Sequence, residues 1–114
     1  MHHKDLEAWK KSIDLVKDIY SITKDFPSSE QFGLVSQMRR AAVSIPSNLA
    51  EGSARFSDKD STRFIDISLG SLAELETQII IAKELNFIKE NQTLLEKIKK
   101  VNALLIGLKK YLNK

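Results

Sequence analysis

Apolar positions recur at steps of three and four along almost the whole chain, the period of one buried face of an α-helix. Leu6, Trp9, Ile13, Val16 and Tyr20 form one such row, with Leu15, Ile19 and Ile22 beside it, predicting a first helix with a wide apolar face. Phe26 and Pro27 end it, because a residue before proline is pushed away from helical angles. Ser28 with Gln31 resembles a capping box, with Ser29 as an alternative cap, so a second helix is expected after a short loop. In that helix Val35, Met38, Ala41, Ile45 and Leu49 keep one phase, and the pattern loosens only near Gly52 to Arg55. Pro46 lies inside the row. Proline removes a backbone donor and clashes with the carbonyl four residues earlier, here that of Ala42, so the segment is either two short helices or one bent helix. The unbroken phase of the stripe favours one helix bent at Pro46.

Ser57 with Asp60, or Asp58, can cap a third helix. Phe64, Ile67, Leu72, Leu75 and Ile79 mark its core side, while Ile65, Leu69, Ile80, Ile81 and Ala82 spread apolar character round the cylinder. Such breadth exceeds one seam and predicts cover from another subunit as well as from neighbours in the chain. Asn86 suits a left-handed stop. Asn91 can cap a fourth helix, whose seam is Leu94, Ile98, Val101, Leu105, Leu108 and Leu112. Gly107 there suggests either close approach of another helix or nothing at all. With short loops throughout, the expectation is an all-α, up-down-up-down four-helix bundle forming a single domain over residues 1–114.

A polar row accompanies the apolar stripe of the second helix: Arg40, Ser44, Ser47 or Asn48, Glu51 and Arg55. The third helix has a matching row at Gly70, Ser71, Glu74, Thr77 and Gln78. Facing each other, the two could satisfy one another's donors and acceptors. A network or interface of Arg40, Asn48, Glu51, Ser71, Glu74, Thr77 and Gln78 stands against the plainer alternative of two solvated faces.

Composition narrows the chemistry. The 114 residues allow one core, and the absence of Cys removes thiol catalysis, thiolate metal sites and any need for an oxidising compartment. The start is polar and no run approaches the roughly 20 apolar residues of a membrane span, so a cytoplasmic protein is expected, with no membrane and no small-molecule substrate. The net charge of +3 is uneven: residues 58–86 carry a net −3 and residues 87–114 a net +5. That asymmetry fits helix pairing or a patch for nucleic acid. A di-iron bundle would need Glu-x-x-His on two helices. The two histidines, His2 and His3, lie at an end expected to fray. Glu51, Glu74 and Glu76 have no histidine or cysteine partner, so neither enzyme, metal nor cofactor is expected.

At QMRRAAVSIPSNLAEGSAR and at FIDISLGSLAELETQIIIAKELNFI the chain resembles the four-helix-bundle proteins encoded in intervening sequences of bacterial 23S ribosomal RNA genes. The shared words are RRAAVSIPSN from Arg39 to Asn48, AEG from Ala50 to Gly52 and GSLAELETQ from Gly70 to Gln78. The resemblance implies a barrel-like homopentamer, a role in binding RNA or DNA, and no enzymatic activity. The accessory variability determinants of diversity-generating retroelements, basic pentamers that bind nucleic acid and a reverse transcriptase, are more distantly similar in fold, and no retroelement-specific motif is present. Under this reading Arg39, Arg55, Arg63, Lys97, Lys100 and Lys110 are the candidate phosphate contacts, since arginine's planar fork matches phosphate as it does carboxylate. Arg39 and Arg40 point about 100 degrees apart on a helix, so at most one joins the polar row; Arg40 is expected to pair with a glutamate. The competing reading is a protein-interaction scaffold whose basic residues only confer solubility.

Overall fold

The computed structural model describes residues 2–114. Four helices account for most of the chain: α1 (Glu7–Thr23), α2 (Leu34–Ser53), α3 (Asp58–Glu84) and α4 (Gln92–Leu112), with short 3-10 turns at His3–Asp5 and Ser28–Glu30. Among the described residues there is no strand. The helices form an elongated bundle of 44 × 25 × 19 Å. α2 and α3 share the most extensive contact, and α1 and α4 pack on them and on each other.

The core draws on all four helices. Leu15, Ile19, Met38, Ile45, Leu75, Val101 and Leu105 are completely buried, each contributing about 1.5–3 kcal/mol of transfer free energy. On α1 the buried centre is the row Ala8, Ser12, Leu15 and Ile19; Trp9 and Val16 flank it, and Tyr20 is exposed. The row beginning at Leu6 is therefore the flank of that face. On α3, likewise, Ile65 and Ser68 are buried where the pattern had assigned Ile67, which is exposed. α4 places Leu94, Ile98, Val101 and Leu105 inside as expected, with Leu108 and Leu112 packed at its end.

Helix ends follow local chemistry. Ser57 accepts from the Asp60 amide at 3.1 Å and Asn91 from the Leu94 amide at 3.0 Å, the capping geometry their types favour. Asn86, at φ 63°, terminates α3 in the left-handed region. The start of α2 departs from expectation: Ser28 opens a 3-10 turn, and α2 begins only at Leu34, after Gly33. There the carboxylate of Glu30 accepts from the Leu34 amide at 3.3 Å, doing from four residues upstream what a serine cap would have done. α2 runs unbroken through Pro46.

Serines fix the register of the antiparallel α2–α3 pair. Ser61 Oγ donates to the Gly52 carbonyl at 2.8 Å, Ser68 Oγ to the Ile45 carbonyl at 2.9 Å, and the hydroxyls of Ser44 and Ser71 meet at 2.8 Å. Close approach is possible because Gly52 has no side chain; a Cβ there would lie 2.9 Å from the Cβ of Phe64.

Candidate functional site

α1 and α2 lean together near the end of α1, leaving a groove of about 410 Å³ lined by Tyr20, Gln31, Phe32, Val35, Ser36, Arg39, Arg40 and Val43. Its charged residues are two arginines, and no carboxylate lines it. Arg39 is fixed from several sides. Its Nε donates to Thr23 Oγ1 at 2.9 Å, one terminal nitrogen lies 3.5 Å from the Tyr20 carbonyl, and the guanidinium sits 4.5 Å from the centre of the Tyr20 ring. Thr23 is in turn anchored, donating to the Ile19 carbonyl at 2.7 Å. This holds a planar cation against an aromatic face. Arg40 is exposed, its terminal nitrogen 3.5 Å from Ser36 Oγ. Phe32, on the loop before α2, is 96% exposed.

The other predicted phosphate contacts do not converge on this groove. Arg55 and Arg63 meet at the opposite end of α2, their guanidinium groups 4.6 Å and 5.1 Å from the ring of Phe64. Arg55 also lines a hollow of about 610 Å³ between the ends of α2, α3 and α4, where Lys114 and Asp58 mix the charge. Lys97 is committed: it pairs with Asp18 on α1 at 2.6 Å, and this hydrogen bond raises its pKa above the usual 10.5. Lys100 flanks a smaller α1–α4 groove with Lys11, Asp14 and Glu96, and Lys110 is exposed near the end of α4.

The two polar rows meet through a single pair. That link is Ser44 with Ser71, and Asn48 joins it within its own helix, donating at 2.9 Å to Ser44 Oγ and at 2.8 Å to the Ser44 carbonyl. Glu74 accepts from Gln78 Nε2 at 3.1 Å, and Thr77 donates back to the Ala73 carbonyl at 2.9 Å, both within α3. Glu51 and Arg40 are exposed, and among the described residues neither forms an ion pair. The pairing expected between Asn48 or Glu51 and α3, and between Arg40 and a glutamate, is therefore not formed within one chain. Serine and asparagine are short enough to close on their own helix, and Glu51 lies on the solvent side of the row. Gln78 is only 5% exposed, yet its Oε1 has no donor.

Tyr20 and Phe32 were not legible as groove residues. Tyr20 fits the apolar period of α1 and reads as core. Phe32 belongs to no periodic row, and an aromatic out of phase in a polar loop was the available signal.

A groove carrying two arginines on an all-helical bundle defines a small helical protein with a basic, aromatic-edged surface. Residues 4–107 match the 23S rRNA-intervening sequence protein family, and the chain belongs to it. Its fold matches that of a Bacteroides thetaiotaomicron protein described as of unknown function and from the S23 ribosomal protein family. The TM-score is 0.79 at 22% identity, over 90% of this chain and 98% of that one. No curated protein matches it by sequence.

Proposed function

We propose that this protein is a non-enzymatic, self-associating, cytoplasmic bundle that binds RNA or DNA, with the α1–α2 groove as its principal phosphate contact. The observation that carries the reading is the pair Arg39 and Arg40 in a groove lined by no carboxylate. Surface arginines usually find acids; two left together without one favour an external anion. The family resemblance in RRAAVSIPSN includes both arginines and supports the same reading.

Self-association is supported by α3. Ile67, Ile81 and Leu85 are 44%, 42% and 54% exposed, and at 100 degrees per residue they fall within about 40 degrees of one another. Gly70 and the exposed Glu74 share that side, with Glu74 between the apolar residues, and nothing lies within 4 Å of where a Gly70 Cβ would be. This unpartnered stripe is suited to a second copy, and the resemblance supplies the number five. The same stripe favours the second reading, a scaffold for another protein.

Salt separates the two. Phosphate contacts release counterions, so affinity for a labelled oligonucleotide should fall steeply with added salt, about tenfold or more per few contacts between low and moderate concentrations. Absence of binding at low salt rejects the nucleic-acid reading and leaves the scaffold.

A further inference from the structure

We infer that the α1–α2 groove takes an unpaired strand, with one base stacked on Phe32 and the adjoining phosphate held by the arginines. This deepens the nucleic-acid reading and rests on it. Phe32 is 96% exposed on the short connection between the Ser28–Glu30 turn and α2, so its ring adds nothing to the core. An aromatic face beside cations is the combination by which single strands are bound without sequence preference.

The geometry disfavours a duplex. Base faces in a duplex are covered by their neighbours, so an open phenyl ring can stack only on a base that has left its pair. Arg39, pinned by Thr23 and Tyr20, presents a guanidinium whose position is settled before any ligand arrives. At about 410 Å³ the groove is large enough for a small planar group, since small-molecule sites span about 300–1,000 Å³.

The experiment compares a labelled single-stranded oligonucleotide with the duplex formed by annealing it to its complement, by fluorescence anisotropy at low salt. Phe32→Ala removes an exposed ring and leaves the core intact, so folding is not at issue; circular dichroism and light scattering confirm helix content and mass. The expected result is about a tenfold loss of single-strand affinity with duplex binding unchanged, and retention of affinity in Phe32→Tyr. If Phe32→Ala binds the single strand as wild type does, while Arg39→Ala and Arg40→Ala weaken both probes, stacking is overturned and the phosphate reading stands. If wild type binds neither probe, both fall. A lower oligomer mass in Phe32→Ala with unchanged single-strand affinity would make the ring a contact between copies and overturn the inference.

Discussion

Gly52 and Gly107 are both helical glycines, and their surroundings predict opposite responses to the same added methyl group. At Gly52 a Cβ would meet the Cβ of Phe64 at 2.9 Å and the Ser61 carbonyl at 3.3 Å. Gly52→Ala should therefore push α2 from α3 and cost about 1–3 kcal/mol, read as a lower urea midpoint. Around Gly107 nothing lies within 4 Å, so Gly107→Ala should stabilise by up to about 1 kcal/mol through helix propensity alone. The sequence left Gly107 open between a packed and an empty site; only the placement of α4 decides it. Glu51 is similar. Its spacing allowed an enclosed network, but it is exposed, and Glu51→Ala should shift stability by no more than about 0.5 kcal/mol in the isolated protomer. A larger loss that depends on protein concentration would place Glu51 in a contact between copies.

The period-3.6 signal located all four helices, because each must bury a stripe and that requirement is written directly into residue spacing. The centre of each stripe was harder to place. On α1 and α3 buried serines, Ser12 and Ser68, occupy core positions by bonding to backbone carbonyls, so an apolar count alone shifts the face by a residue or two. The start of α2 moved because Glu30 reaches the Leu34 amide from a preceding turn, a contact that depends on how that turn folds. Between elements, the pair Lys97–Asp18 links α4 to α1. Raised Lys pKa values mean that this contribution is complete below the ordinary 10.5 and is lost as pH climbs through the higher folded value. Asp18→Asn should therefore lower the melting temperature slightly at neutral pH, where the contribution is complete, and make no difference above the raised pKa, so that the alkaline part of the profile flattens. Both side chains remain over a third exposed, and such pairs contribute about 0–1 kcal/mol.

At the scale of the molecule, the candidate arginines are divided between the two ends of α2 and the lysines lie elsewhere on the 44 Å bundle, which the sequence could not reveal because helical spacing orders residues round one cylinder and says nothing of its neighbours. If α3 supports self-association, Ile81→Glu should lower the light-scattering mass while the circular dichroism spectrum of the protomer persists. The serine contacts between α2 and α3 bear on something different, the order in which the chain folds. Ser61 with Gly52, Ser68 with Ile45 and Ser44 with Ser71 are all separated by fewer than 30 residues, whereas the Lys97–Asp18 link spans 79. Closing the short α2–α3 hairpin loses less chain entropy than bringing α1 to α4. The hairpin is thus the expected nucleus, and a one-turn slip would break all three hydroxyl contacts at once, penalising misregistered hairpins early. In stopped-flow measurements Ser68→Ala should mainly slow refolding, while Leu105→Ala, on the last seam to close, should mainly accelerate unfolding. The reverse partition would put the nucleus at the α1–α4 side, and the hydroxyl contacts would then be late refinements of a hairpin already held by its apolar face.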